Sequence, residues 1–193
     1  MNAAEIKSKL EAQFSGIQIQ IVNEGLVVKS EDLVRVAQFL KESAELKLNY
    51  LSLITAVDYL EYLESVYHLY SVDHRIGPVI LRVRVPPSDP KIPSLVPVFR
   101  GAEFQEREAF DMMGIHYEGH PDLRRIFMWE GFEGYPLRKD YLPEDADVLE
   151  WEDVEWLEKH GVTVPEEYKA FARQLKDAGK EARAQRPTEK EPQ

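Results

Sequence analysis

The sequence predicts an α+β fold: an antiparallel sheet of four to five strands with helices packed on one side, followed by an extended C-terminal docking segment. Three observations lead there. Strictly alternating apolar stretches recur between residues 17 and 85 with short turns between them, as in antiparallel neighbours. Helix-periodic segments stand before, within and after that region rather than alternating with every strand. Beyond Gly114 the chain loses both periods yet keeps a dense load of aromatic and charged side chains.

Residues 3–14 read as a short amphipathic helix. GIQIQIV, from Gly16, alternates strictly, Asn23-Glu24-Gly25 makes a turn and LVVK returns, so 17–29 is a hairpin. Ser30 is a suitable N-cap, with Glu31 and Asp32 in the first turn. Leu33, Val36, Ala37 and Leu40 then recur at helical spacing, which predicts a helix over 31–46.

In 50–60 the alternation places Leu51, Leu53, Thr55, Val57 and Tyr59 on one face. In 65–72 it places Val66, His68, Tyr70 and Val72 together. In 79–85 Val79, Leu81, Val83 and Val85 point inward, Arg82 and Arg84 outward. The proline-rich 86–93 ends the sheet. Residues 94–114 read as one helical region, kinked near Pro97 or Gly101, with Gly114 as its stop. Glu103, Arg107 and Asp111 fall at i, i+4 and i+8, so Arg107 is placed to pair in both directions.

This divides the chain into an α+β domain (1–115), an extended motif-bearing loop (116–142), an acidic and helical extension (143–176) and a tail (177–193). That tail is charged and nearly free of large apolar groups, as in disordered segments.

Composition narrows the function. The chain has 193 residues, 44% hydrophobic and 31% charged, enough for one domain with a real core. It has no cysteine, so it supplies no thiolate for an iron–sulfur cluster, a zinc site or a nucleophile. A net charge of −11 argues against nucleic acid, whose binders neutralise phosphates. Much of the excess lies in Leu142 to Gly161, either a solvated acidic face or a surface for a basic partner. No apolar run approaches the roughly 20 residues of a membrane span. MNAAEIKSKLEAQF lacks the apolar centre of a secretion signal, so the chain is expected in the cytoplasm, reaching a membrane through partners.

Residues 119–141, GHPDLRRIFMWEGFEGYPLRKDY, are the densest stretch. Arg124, Arg125, Arg138 and Lys139 face four acids: Asp122, Glu130, Glu133 and Asp140. Guanidinium forks suit an anionic substrate, but interleaved acids favour ion pairs within or between chains. Ile126, Phe127, Met128, Trp129, Phe132, Tyr135 and Leu137 are a large apolar load for a loop. Aromatic residues with arginine are the composition of interface anchors, so the residues favour docking over catalysis. Two chemical readings stand beside this. His116, Glu118, His120 and Asp122 alternate in HYEGHPD and form a conceivable metal set, though Gly119 and Pro121 interrupt it; bracing of the loop by His120 and Asp122 is the simpler reading. Glu106, Glu108 and Asp111 can be read as paired carboxylates, but no nucleophile and base accompany them. There is no GxGxxG and no P-loop.

EREAFDMMGI (106–115), GHPDLRRI (119–126) and EGYPLRKDY (133–141), in this order and spacing, closely resemble the 30-kilodalton (C-type) subunit of the proton-pumping NADH–quinone oxidoreductase, respiratory complex I. Glu106, Arg107, Glu108, Asp111, His120, Arg124 and Ile126 fill the places of the family pattern. Asp122, Arg125, Tyr135, Arg138, Lys139 and Asp140 lie in the same blocks. The resemblance covers roughly residues 5–142. One departure is Phe104, where the family often has Trp shortly before ERE.

The resemblance implies a cofactor-free, non-catalytic subunit of the peripheral arm, on the cytoplasmic side of the cell membrane. It implies docking against the D-type subunit, a relative of the nickel–iron hydrogenase large subunit, and near the cluster-bearing B-type and I-type subunits. NAD, flavin, iron–sulfur clusters and quinone would belong to partner subunits. Equivalent subunits of membrane-bound hydrogenases, deazaflavin-dependent dehydrogenases and ferredoxin-fed relatives share the pattern. From a different class, a small metal-dependent enzyme built on His116, Glu118, His120 and Asp122 is the rival.

Overall fold

The computed structural model describes residues 2–141 and 149–184, with backbone alone from 178 onward. Contacts divide the chain into two compact units, up to Arg138 and from Lys139 onward.

In the first unit, helix α1 (Ala3–Gln13) starts at a capping box: the Asn2 side chain accepts from the Glu5 N–H, and Glu5 accepts from the Asn2 N–H. Strands β1 (Gln20–Val22) and β2 (Gly25–Val28) form the expected hairpin. Asn23 and Glu24 both take positive φ, as a two-residue hairpin turn requires. A 3-10 turn at Ser30–Asp32 leads into α2 (Leu33–Glu42). Ser30 does not cap it. Its hydroxyl donates instead to the Lys91 carbonyl, because the 3-10 turn moves the helix start to Leu33. Strands β3 (Tyr50–Asp58), β4 (Leu63–Ser71) and β5 (Ile76–Val85) follow as an antiparallel meander.

The sheet order is β1-β2-β5-β4-β3, and β2 pairs with β5 in parallel. The sheet is therefore mixed, not wholly antiparallel. Helix α2 returns the chain across the sheet, so β3 starts in the direction of β2. Two reversals later β5 again runs that way and closes against β2, with Leu26 opposite Leu81. A hydrophobic period shows which residues face inward; it does not show which strands become neighbours.

Alternation in β5 is as expected. In β3 a register shift between Leu51 and Leu53 moves the two residues to opposite faces. Leu51 and Ile54 enter the core, while Leu53 is exposed. One core joins Ile6 and Leu10 of α1 and Leu33, Val36, Ala37 and Leu40 of α2 to Leu26, Val28, Tyr67, Leu69, Leu81 and Val83 of the sheet.

The region expected as one helix over 94–114 is two pieces. Successive turns span Leu95 to Ala102, and helix α3 runs over Ala102–Met113. Short strands β6 (Lys91–Pro93) and β7 (His116–Glu118), too brief to show a period, pair in parallel on either side of it. Gly114 ends α3 as expected, in the left-handed conformation (φ 77°).

The second unit contains α4 (Trp151–Lys159) and α5 (Glu166–Ala184), packed through Val154, Leu157, Val164 and Ala172. Helix α5 continues through Asp177 to Ala184, where the sequence suggests a tail. Residues 142–148, at the start of the predicted acidic extension, and 185–193 lie outside the described residues.

Leu81 sits fully buried in a central strand beneath the helices. Leu81→Ala is expected to cost about 2–5 kcal/mol of unfolding free energy in a urea titration of the chain, the range for a cavity left in a packed core.

Candidate docking site

The loop after β7 is organised by one residue of α3. Asp111 is fully buried on the last turns of the helix. Its Oδ2 accepts three consecutive backbone N–H groups, from Ile126 (2.9 Å), Phe127 (2.6 Å) and Met128 (3.0 Å). Its Oδ1 accepts from Arg125 Nη1 at 3.0 Å. The three successive N–H groups form an anion nest, filled here by the chain's own carboxylate. Burial pushes the Asp111 carboxyl up, but the N–H donors of 126–128 and the Arg125 guanidinium outweigh it, and the group titrates below the ordinary carboxylate range.

Arg125 is engaged on several sides. Besides Asp111, it donates to the Gly134 carbonyl (2.8 Å) and lies 5.6 Å from the Phe132 ring and 5.2 Å from the Tyr135 ring. Tyr135 in turn presses on Gly114, where a Cβ would stand 2.5 Å from the ring. The positive φ and this close approach both require glycine there. The Leu137 N–H donates to the Met112 carbonyl, tying the far end of the loop to the same helix.

Arg107 does not bridge Glu103 and Asp111 as helical spacing suggests. Its Nε donates to the Arg124 carbonyl (3.1 Å), and its Nη1 lies 3.9 Å from Asp122 Oδ2. Asp111 takes Arg125 from the loop instead. A buried carboxylate gains more from a partner that also delivers three backbone donors than from a neighbour on its own helix.

His120 braces the loop. Its Nε2 donates to the Glu103 carbonyl (2.9 Å) and its Nδ1 accepts the Asp122 N–H (3.0 Å). Asp122 also pairs with Arg124, whose hydrogen bond holds the carboxyl below its usual range. His116 and Glu118 are exposed. Among the described residues no three His, Cys, Asp or Glu side chains gather as a metal site, so the geometry does not bring the predicted metal set together.

Glu106 faces the other way, fully buried. Ser94 Oγ donates to Oε2 (2.6 Å) and the Leu95 N–H to Oε1 (2.7 Å), clamping the segment before α3 onto the helix. Burial pushes its pKa up to about 7, against the lowering effect of those two donors. Sequence reasoning did not isolate this role, because the carboxyl and its hydroxyl partner are 12 positions apart with no period joining them.

The motif residues thus separate. Glu106, Arg107 and Asp111 are internal, and Arg125 and His120 are half-buried. Glu108, Asp122, Arg124, Lys139 and Asp140 are exposed, and Tyr135 and Arg138 are half-buried. Phe127, at 59% exposure, Trp129, at 67%, and Leu137 present apolar surface outward. Trp129 is held edge-on against Phe132, with ring centroids 4.7 Å apart. Phe104, the residue that departs from the family's usual Trp, is also exposed on α3, with the Arg107 guanidinium 5.4 Å from its ring.

Residues 26–147 match the model of the respiratory-chain NADH dehydrogenase 30 kDa subunit family. The chain belongs to this family. It is 48% identical over 118 residues to a C-type NADH-quinone oxidoreductase subunit of Rhizobium etli, covering 59% of this chain and 62% of that protein. It is 35% identical over 162 residues to the C-type subunit of Herpetosiphon aurantiacus, covering 81% and 94%. A chloroplastic relative, the J-type NAD(P)H-quinone oxidoreductase subunit of Cryptomeria japonica, is 46% identical over 127 residues, 63% of this chain and 78% of that one. The chain spans less than two-thirds of the length of the first of these relatives. Its fold is shared by a chain of an archaeal respiratory membrane complex, the membrane-bound sulfane sulfur reductase, with a TM-score of 0.59 at 22% identity over 84% of this chain and 92% of that one. Among the described residues of this family member, no helix is long and apolar enough to cross a membrane.

Two outcomes follow from the buried carboxyls. Asp111→Asn puts an amide donor against N–H donors and leaves Arg125 without its carboxylate; at pH 7 it is expected to lower stability by about 3–5 kcal/mol, the range for breaking a buried pair. Because the folded pKa of Asp111 lies below the unfolded value, its contribution is present above about pH 4 and is lost as pH falls through the folded pKa. The variant should therefore lack that acid-side loss in unfolding titrations between about pH 2 and 5. Glu106 has the opposite sign. Its folded pKa is raised, so its contribution is full below the unfolded value and declines as pH rises toward about 7. Glu106→Gln, which keeps an acceptor for the Leu95 N–H and a partner for the Ser94 hydroxyl, should be up to about 3 kcal/mol more stable than the parent at about pH 8 and nearly equal to it at about pH 4, measured by urea denaturation.

Proposed function

We propose that this chain is a cofactor-free structural subunit of the peripheral arm of a proton-translocating NADH–quinone oxidoreductase. It docks through residues 119–141 and supports electron transfer from NADH through iron–sulfur clusters to quinone, all held by other subunits. The hydrogenase-large-subunit-like (D-type) subunit and the cluster-bearing B-type and I-type subunits are its partners. It associates with the cytoplasmic face of the cell membrane through them.

One observation carries this reading. The loop turns Arg125 and the N–H groups of 126–128 inward onto Asp111 of α3, and turns Phe127, Trp129 and Leu137 to solvent. A catalytic loop would aim its convergent polar groups into a cleft. This one braces an apolar, aromatic surface with its polar groups, which is how an interface core is built. Arg124, exposed and paired with Asp122, stands at the rim for a partner acid.

Trp129→Ala and Arg124→Ala test it. Both side chains are exposed, so the free chain should unfold within about 0.5 kcal/mol of the parent. Copurification of the chain with its hydrogenase-like partner from gently solubilised membranes should fall at least roughly tenfold for Trp129→Ala and less for Arg124→Ala. Undiminished copurification of the tryptophan variant would remove the docking role.

A further inference from the structure

The sheet has a second face. Ile6 and Leu10 of α1, the α2 stripe and Ala102 and Ala109 of α3 share one core with the inward side chains of β2 to β5. On the opposite side the register lines up three cross-strand rows. One is Val57, Glu64 and Arg84; the next Thr55, Val66 and Arg82, reaching Val27 of β2; the third Leu53, His68 and Ile80. No helix of the first unit joins these rows in its core.

A sheet face that no helix of its own unit packs on ordinarily carries solvated polar side chains. Two features depart from that. Val66 is 4% exposed yet stands outside the helix-side core. Glu64 is fully buried, with Oε1 taken by Arg82 Nη1 (2.6 Å) and Oε2 by Arg84 Nε (2.7 Å). Arg84 also lies 4.7 Å from the Tyr62 ring. Two guanidiniums over one carboxylate leave a net positive charge in a chain whose total is −11. Each guanidinium has about five N–H donors, and one from each goes to Glu64. Arg82 Nε is buried with no acceptor among the described residues. Each Glu64 oxygen accepts one of these bonds, and the remaining guanidinium donors with the surplus positive charge suit an added anion of carboxylate geometry.

We propose that this face docks a segment of another subunit that brings a carboxylate to Arg82 and Arg84 and apolar side chains to Val57 and Ile80, with exposed Leu53 at the rim. The contact on Arg82 and Arg84 is separate from Trp129, while Leu137 of the 119–141 loop comes up to Thr55 at the edge of β3, so the Leu53 charge variants separate the two; the proposal rests on the reading of the chain as a subunit of a larger assembly. Bidentate guanidinium–carboxylate pairing sets the register of the incoming segment, and the apolar rows around it exclude water from the pair.

The experiment uses the assembly purified from gently solubilised membranes, with the photocrosslinking residue p-benzoylphenylalanine replacing Thr55 in one strain and Trp129 in another. Thr55 is exposed and lies in the middle row. The expected result is a crosslink from position 55 to a peptide of another subunit containing Asp or Glu. Two variants of exposed Leu53 then test the charge. Leu53→Asp should lower the yield of that crosslink at least roughly tenfold by repelling the incoming acid, while Leu53→Lys should leave it within about twofold. A crosslink from position 129 with none from position 55 overturns the proposal and leaves the docking loop standing. A crosslink from 55 to a second copy of this chain, to a peptide without an acid, or with equal loss for Asp and Lys also overturns it. Failure at both positions removes the assembly reading and this proposal with it.

Discussion

The carboxylate of Asp111 is the constraint on which the rest of the site depends. It is the point where a regular helix takes control of an irregular chain. A loop with neither helical nor strand bonding has many backbone donors to place, and leaving them unmet in a partly buried setting costs about 1–3 kcal/mol each. Asp111 meets three in succession and compensates its own burial with Arg125. Arg125 then orders Phe132, Gly134 and Tyr135, and Tyr135 closes on Gly114 at the end of the same helix. The circuit returns to where it began, so the aromatic surface is held by a closed ring of contacts rather than by one tether.

Helix α3 serves two sides of the domain. Toward the sheet it sends Glu106 to Ser94 and Leu95, and the Gln105 side chain accepts from the Ile54 N–H on edge strand β3. That bond occupies one of the outward donors that an edge strand would otherwise offer to another chain. Toward the loop it sends Arg107 and Asp111. Charged residues at this density on one short helix are usually solvated; here Glu106, Arg107 and Asp111 are buried because each reaches a different segment.

Local chemistry was readable from the sequence where neighbours in the chain are also neighbours in space. The hairpin turn at Asn23-Glu24, the inward set Val79, Leu81, Val83 and Val85, the core stripe of α2 and the Gly114 stop all follow from periods and turn residues. The motif blocks lie on α3 and the segment that follows β7. What was not readable depends on pairings that carry no period. Closure of β2 against β5 joins strands separated by a helix and two further strands. The one-residue irregularity at Leu51/Leu53 reverses a face that alternation would keep. Spacing favoured Arg107 for Asp111, and the fold chose Arg125, because helical spacing measures distance along one element and says nothing of donors brought from another.

The three-donor grip on Asp111 has a consequence for how an assembly forms. A segment that orders only on contact surrenders backbone freedom at that moment, on the order of 1–2 kcal/mol for each residue fixed, and binds more weakly for its area. Residues 126–128 have already lost that freedom when the chain folds. In the proposed docking their aromatic neighbours would meet a partner as a finished surface, and association would draw its entropy loss from rigid-body motion and from the partner's own segments.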